Sequence, residues 1–153
     1  WEPDRAMTND PSMTKVRRWM TPSPLTIDDS ASIVEAIHKL KEKNIRRLPV
    51  MHSGKVVGVV TEKMLKDFTP SKATSLDTWE VHYLLARTLV TAAMNPKPHK
   101  VRPDDEIADV AQLLHDRKLN GVVVVDEKEQ LVGILTTTNA LEALIGFAKA
   151  LKK

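Results

Sequence analysis

The sequence of 153 residues contains no cysteine, few aromatic residues (4%) and no long apolar run. Without cysteine the chain cannot form disulfides, thiolate metal sites or a cysteine nucleophile, and this composition suits a cytoplasmic protein. No stretch approaches the roughly 20 apolar residues that a membrane-spanning helix needs. The N-terminus also lacks the basic and then apolar order of a signal peptide. These absences predict a cytoplasmic protein that does not enter a membrane.

A concentrated positive charge is also missing. The formal net charge is +3, and lysine and arginine are interleaved with acidic residues along the chain. Nonspecific nucleic-acid binding usually needs a basic stripe, and Trp1, Trp19 and Trp79 are too far apart in sequence to form a stacking platform. The five histidines show no HxxxH or HExxH spacing. We therefore expect neither nucleic-acid binding nor a metal site.

What the sequence does contain is an internal repeat. After a shift of 74 positions, residues 20–24 align with residues 94–98, and Ile33 aligns with Ile107. One extra residue in the second copy then moves the shift to 75, so that residues 57–61 align with residues 132–136. Such self-similarity indicates one supersecondary unit written twice.

Each copy predicts the same order of elements, βαββα. An extended segment (residues 25–27 and 99–101) follows a Met-x-Pro-x-Pro motif, which cannot form a helix interior. Apolar residues at helical spacing then predict an amphipathic helix, and two β-branched runs predict buried strands. Acidic residues and serine are expected to begin the first helix in each copy: Asp28, Asp29 and Ser30, and then Asp104, Asp105 and Glu106.

The predicted fold class is mixed α/β (α+β), with the two βαββα repeats packed sheet to sheet in a pseudo-twofold arrangement. One copy of roughly 60 residues would be only marginally stable alone, which gives a physical reason for the duplication. The predicted organisation is an N-terminal extension (1–15), a first repeat (16–68), a linker with a connecting helix (69–89), a second repeat (90–145) and a C-terminal helix end (146–153).

Two further helices are predicted outside the repeated pattern. The connecting helix spans residues 78–89, with Asp77 as N-cap, Glu80 completing a capping box, and a hydrophobic staple between Leu76 and Val81. A C-terminal helix spans residues 139–153 and carries an apolar stripe that we expect to pack on this chain or on a second copy. The stripe consists of Leu141, Leu144, Ile145, Ala148 and Leu151.

Together, the Met-x-Pro segments, the Leu-Pro-Val strand (48–50) and the Gly-h-h-Thr motifs (h, apolar; 58–61 and 133–136) resemble a tandem CBS (cystathionine-β-synthase) domain pair, or Bateman module. The helix at 76–85 resembles that of the acetoin-utilisation CBS proteins. The resemblance covers roughly residues 16–145. It implies a regulatory module without enzymatic activity or a required cofactor. It also implies that AMP, ADP, ATP or S-adenosylmethionine binds in clefts between the repeats, and that the chain forms a homodimer through exposed helices.

The resemblance also implies which residues would contact the nucleotide. The threonine after each second strand would hold phosphate, and the residue three positions later would bind the ribose hydroxyls. That position normally carries aspartate but is Met64 in the first copy and Asn139 in the second, so we expect the second copy to bind ribose better. Arg46 and Arg47 would face phosphates, and Lys100 and Arg102 would supply the missing positive charge in the second copy. The full set is Thr26, Ile27, Asp28, Arg46, Arg47, Pro49, Gly58, Thr61, Met64, Lys100, Val101, Arg102, Asn120, Gly121, Val122, Gly133, Thr136 and Asn139.

The same residues have simpler interpretations. Both threonines suit a helix N-cap, and Arg46 and Arg47 suit the solvated C-terminal end of a helix. We interpret the paired aspartates as caps rather than catalytic acids, and no nucleophile elbow, P-loop or dinucleotide-binding fingerprint occurs. The alternative to a ligand sensor is a structural dimerisation module that has lost its ligand, which Met64 favours.

Overall fold

The computed structural model describes residues 10–68 and 77–152, so the predicted linker at 69–75 and the staple residue Leu76 lie outside the described residues. Besides 3-10 turns at Pro11–Thr14 and Val90–Ala92, these residues form six α-helices and seven strands. In chain order they are α1 (Val16–Trp19), β1 (Thr21–Pro22), β2 (Ile27–Asp28), α2 (Ile33–Lys43), β3 (Arg47–His52), β4 (Lys55–Thr61), α3 (Glu62–Asp67), α4 (Thr78–Arg87), β5 (Lys100–Val101), α5 (Ile107–Arg117), β6 (Gly121–Val125), β7 (Leu131–Thr136) and α6 (Thr137–Leu151).

The chain divides into two compact units. Among the described residues, the first-repeat unit lies between Leu25 and Pro98, and the second-repeat unit joins the residues up to Pro24 with those from His99 onwards. The units therefore cross the repeat boundaries expected from the sequence. Residues 16–24, which open the first repeat, belong to the second-repeat unit. Residues 90–98, which open the second repeat, belong to the first-repeat unit.

In the first-repeat unit, the sheet has the order β2-β3-β4, with β2 parallel and β4 antiparallel to β3. The turn between β3 and β4 uses positive φ at Ser53 (49°) and Gly54 (81°), as a two-residue hairpin requires. The apolar face of α2 covers the sheet and buries Ile33, Ala36 and Leu40. The core also includes Leu48, Val50, Val60, Leu65 and Val90.

In the second-repeat unit, β5, β6 and β7 repeat this arrangement, and β1 adds a fourth strand, giving the order β1-β7-β6-β5. Helix α5 buries the counterparts of the α2 residues, including Ile107 and Leu114. The predicted mixed α/β class and the duplicated strand and helix order are confirmed. Their packing sheet to sheet stays a prediction.

The two opening segments are held by equivalent backbone contacts. Val16 N donates to Asp105 O (2.9 Å), and Val90 N donates to Ala31 O (2.8 Å). Val16 and Val90 are both fully buried. The alignment of residues 20–24 with 94–98 thus reflects two segments that contribute an equivalent valine to two separate cores.

The prediction that aspartates cap the first helix of each copy is wrong. Helix α2 begins at the N-cap Ser32, which forms a capping box with Glu35. Asp28 still belongs to β2, and its carboxylate accepts from Ser30 N at 3.0 Å. In the second copy the N-cap position is occupied by Glu106, one of the predicted residues, but its side chain makes no capping bond. The nearby aspartates have other partners, because Asp105 accepts from Arg102 N (2.8 Å) and Asp104 pairs with Arg17.

The remaining helices agree better with the sequence. Asp77 caps α4, accepting from Glu80 N at 2.8 Å, although α4 ends at Arg87 rather than residue 89. Helix α6 begins at Thr137, directly after its N-cap Thr136 as the polar step there predicts, and it includes the start of the predicted C-terminal helix at residue 139. It packs on the core through Ala140, Ala143 and Phe147, whereas the predicted apolar stripe is exposed on the described chain. None of the described helices combines the length and apolar character needed to cross a bilayer.

Candidate functional site

The candidate site residues gather where a second strand ends and a helix begins. In the first-repeat unit we call this place the Thr61 corner; it comprises Arg46, Arg47, Thr61 and Met64 with helix α3. In the second-repeat unit the Thr136 corner comprises Asn120, Gly121, Thr136 and Asn139 with the first two turns of α6. Arg47 pairs in register with Thr61, and Gly121 pairs with Thr136. The two corners are therefore built at the same position of the two sheets.

Both threonines act as N-caps, as the simpler interpretation proposed. Thr61 Oγ1 accepts from Met64 N at 3.1 Å. Thr136 Oγ1 accepts from Asn139 N at 3.3 Å, and Asn139 Oδ1 accepts in return from Thr136 N at 2.9 Å, which completes a capping box. The Thr61 hydroxyl keeps its donor for a further bond, whereas Thr136 Oγ1 already donates to Asn139 Oδ1 at 3.1 Å and keeps only an acceptor position.

Asn139 is held inside its own helix start. Its side chain is buried (the residue is 7% exposed), its amide oxygen accepts from Thr136, and its Nδ2 donates to Glu142 Oε1 at 3.1 Å. The amide therefore satisfies its polar groups within the corner. That asparagine binds ribose better than Met64 stays a prediction, and binding would have to exchange these contacts.

Arg47 carries a positive charge that has no ion-pair partner among the described residues of its unit. The residue is half-buried, and burial together with the neighbouring charge of Arg46 lowers the pKa of the Arg47 guanidinium. In the described part of the chain, neither arginine forms an ion pair or donates a side-chain hydrogen bond. Removing a cation from water without a partner is costly, and a bound anion would offset that cost. This arrangement favours an anion-binding interpretation over a solvated helix end.

Arg102 lies at the opposite end of the sheet from Thr136, contrary to the expectation that it supplies charge there. It donates to Asp126 O and, at 2.6 Å, to Glu129 Oε1, beside the turn between β6 and β7. Gly121, at the Thr136 corner, begins β6, and Val125 ends it, a separation of about 13 Å at the usual rise per residue. Lys100 lies 3.8 Å from the same Glu129 carboxylate. Sequence reasoning misplaced Arg102 because the pairing of β5 with β6 was not known.

The first strand of each copy contributes mainly to the cores. Ile27 and Val101 are buried in them, as are Pro49 and Val122 from the neighbouring strands. Asp28 lies near the hairpin end of its sheet, in register with Met51. Lys39 was missed by the sequence analysis: its Nζ donates to the carbonyl of Thr26, one of the predicted nucleotide contacts. No local pattern marks this lysine, since the contact depends on how α2 packs.

The two motif glycines are explained by contacts within the protein. A Cβ on Gly133 would lie 2.6 Å from Met20 Sδ and 2.9 Å from Thr21 O. A Cβ on Gly58 would likewise collide with Met94 Sδ and lie 2.8 Å from Asn95 O. The space in front of each glycine is thus occupied by the opening segment of a repeat.

The comparisons with known proteins agree with this geometry. The family model described as CBS domain matches two stretches, residues 16–69 and 90–146. A CBS domain-containing protein of Dictyostelium discoideum is 26% identical over 131 residues, covering 85% of this chain and 90% of the relative. Homoserine O-acetyltransferase of Methanococcoides burtonii is 31% identical over 134 residues, but the chain spans only 24% of that enzyme.

Solved structures show the same fold. CBSX2 of Arabidopsis thaliana, crystallised in complex with AMP, aligns with a TM-score of 0.69 and 31% identity over 86% of this chain and 96% of that one. The CBS domain pair of MJ0100, in complex with 5′-methylthioadenosine and S-adenosyl-L-methionine, aligns with a TM-score of 0.68 and 26% identity over 87% and 96%. A putative acetoin utilization protein of Vibrio cholerae shares the fold (TM-score 0.72, 23% identity, covering 90% and 95%). The predicted resemblance to a tandem CBS pair is confirmed.

Proposed function

Because this chain belongs to the CBS-domain family, we propose that it is a regulatory module that binds an adenosyl ligand and is not itself an enzyme. The observation that carries the proposal is the likeness of nearly the whole chain to CBSX2, which was crystallised with AMP. Ligand binding would act by favouring one conformation or assembly over another. The candidate ligands are AMP, other adenine nucleotides and S-adenosylmethionine.

The Thr61 corner supports this proposal on physical grounds. A guanidinium matches phosphate in charge and in bidentate geometry, and Arg47 is half-buried there without an ion-pair partner among the described residues. Thr61, paired with Arg47 in register, adds a hydroxyl whose donor is not used by the helix cap. A nucleotide phosphate would complete this set of contacts.

Thermal unfolding with a panel of AMP, ADP, ATP, 5′-methylthioadenosine and S-adenosylmethionine tests the proposal. At 100 times its dissociation constant, a ligand specific for the folded state should stabilise it by about 2.7 kcal/mol. GTP at the same concentration is the control for nonspecific anion effects. If none of the adenosyl compounds raises the unfolding temperature at millimolar concentration, the proposal is rejected and the structural dimerisation module is favoured.

Dimerisation is supported by a separate observation. On the described chain, Leu141, Leu144 and Ile145 of α6 are 59%, 60% and 53% exposed, and they form an apolar surface together with Leu151. We propose that this surface is covered by a second copy in a C2 homodimer, the commonest arrangement of soluble homo-oligomers. A homodimer serves both the ligand sensor and the structural alternative.

The oligomeric state of Leu144→Glu, measured by sedimentation or light scattering, tests this proposal. The charge placed in the apolar surface should shift the protein to monomer. Gln130→Glu is the matched control, because it adds the same charge at an exposed residue just after the turn and should remain dimeric. A monomeric unmodified chain at high concentration would contradict the proposed dimer.

A further inference from the structure

The charges at the Thr61 corner are unbalanced towards positive. The acidic and basic residues of α3 neutralise one another, since Lys66 pairs with Glu62 at 2.7 Å and Lys63 pairs with Asp67 at 2.6 Å. Arg46 and Arg47 form no ion pair among the described residues, although the charge of Arg46 contributes to lowering the pKa of Glu62. Helix α3 therefore contributes no net charge, and two positive charges remain beside Thr61.

The Thr136 corner has the opposite balance. Under the repeat alignment, uncharged Asn120 and Gly121 take the places of Arg46 and Arg47. On the helix, one acidic position is kept, because Glu142 takes the place of Asp67, but Thr138 takes the place of its partner Lys63. Glu142 accepts from Asn139 Nδ2 at 3.1 Å, and no described lysine or arginine pairs with it. One negative charge remains.

The charge that was expected to restore the balance is held elsewhere. Arg102 binds the turn between β6 and β7 through Asp126 O and Glu129, and Lys100 lies next to the same glutamate. Both cations are thus already opposed by a carboxylate at a distance from Thr136. The difference between the two corners is therefore a property of the folded units and not only of the aligned letters.

We propose that the two corners select adenosyl ligands by charge. The Thr61 corner takes a ligand that bears phosphate, and the Thr136 corner takes an adenosyl compound without phosphate. The proposal rests on the proposed function and adds a ligand class for each repeat. Phosphate carries up to two negative charges near neutral pH, so it is attracted by the guanidinium of Arg47 and repelled by the carboxylate of Glu142.

Isothermal titration of the whole chain with AMP and with 5′-methylthioadenosine tests this assignment. Arg47→Met should weaken AMP binding by roughly 10- to 100-fold, the usual effect of losing a charge-assisted hydrogen bond. The same variant should bind 5′-methylthioadenosine as the unmodified chain does, which also shows that it is folded. Arg117→Met is the matched control, because Arg117 lies at the exposed end of α5, and both ligands should bind it normally.

The second half of the assignment is tested by reversing the charge at the other corner. Glu142→Lys should create additional AMP binding, so that the number of AMP molecules bound per chain rises, while Glu142→Gln should increase it less. In the unmodified chain, saturating AMP should leave 5′-methylthioadenosine binding in place.

Three outcomes would overturn the assignment. The first is unchanged AMP affinity in Arg47→Met, the second is full competition between the two ligands, and the third is no gain in Glu142→Lys. If neither ligand binds the unmodified chain, the proposed function fails as well. If both bind but compete, only the charge selection fails.

Discussion

The first-repeat unit and the second-repeat unit depart from regular structure at the same positions. In both sheets the register shifts within the central hairpin, between Val50 and Met51 and between Val124 and Val125. Helices α2 and α5 are both followed by a C-cap residue in the left-handed conformation, Asn44 (φ 53°) and Lys118 (φ 54°). Asparagine adopts this conformation more readily than lysine, because its short polar side chain can hydrogen-bond locally. The two copies therefore share the backbone conformation although the residue differs.

The polar contacts of the two units differ much more than their backbones. In the second-repeat unit, Lys15 pairs with Glu106 at 2.8 Å and Arg17 pairs with Asp104. At the equivalent bridge of the first-repeat unit, Leu89 faces Ser32, which caps α2 instead. The comparison teaches that buried packing and backbone bonds define the repeat, while surface charges have diverged and distinguish its two copies.

The shared packing predicts the largest effect. Gly58→Ala and Gly133→Ala should each lower the free energy of unfolding by about 1–3 kcal/mol, because the added methyl group meets a methionine sulfur and a backbone carbonyl that has little freedom to move. Chemical denaturation of the two variants measures whether the two costs are similar, as the comparison requires.

A double-mutant cycle assigns this cost to the contact. Gly133→Ala combined with Met20→Ala should cost less than the sum of the single variants, because the smaller side chain relieves one of the two collisions. Simple additivity would mean that Met20 does not restrict residue 133.

The helix starts predict a smaller and unequal effect. Ser32→Ala removes a capping box from α2 and should cost about 1 kcal/mol. Glu106→Ala removes no cap from α5, since that side chain makes none, and should cost less. The denaturant midpoints of the two variants measure these losses of stability. An equal loss at the two positions would contradict the difference between the units.

Periodicity and residue class were sufficient to predict the three strands of each repeat, the main helices and the threonine caps, because these depend on neighbours in sequence, but they did not predict β1. The exchange of opening segments was not predictable in this way. Residues 16–24 align with residues 90–98 whichever unit they pack on, so the alignment contains no information about the partner. Ser32 was missed because Asp28 and Asp29 are equally good capping residues on propensity alone.

The candidate site shows the same division. The hairpin of β3 and β4 is predicted by the sequence, and it brings Arg47 close to Thr61. Their pairing in register also depends on the shift between Val50 and Met51, without which Arg47 would face Val60. The position of Arg102 does not follow, because it depends on the register of the parallel pair β5 and β6, whose connection is long. The burial of Asn139 within its own capping box could not be predicted either, because it depends on how α6 packs.

The smallest expected effect is a difference between the two opening segments in how their stability depends on pH. The hydrogen bond from Lys15, and then that from Thr14, lowers the pKa of Glu106 below its usual 4.5. A carboxyl whose pKa is lowered by folding stabilises the folded state above the ordinary pKa, and this contribution is lost as pH falls through the lowered value. The segment at Val16 should therefore loosen on acidification, whereas the segment at Val90, held opposite Ser32, should not change for this reason.

Amide exchange measured by NMR at pH 6 and again below pH 4 reports on both segments, because Val16 N and Val90 N make equivalent backbone bonds. After correction for intrinsic exchange, protection of the Val16 amide relative to the Val90 amide should fall by less than about fivefold, since exposed ion pairs are weak. In Glu106→Gln most of this pH dependence should disappear while the fold is kept. Equal pH dependence at Val16 and Val90 would show that Lys15 and Glu106 do not help to hold the N-terminal segment, and that the two units are alike in this respect too.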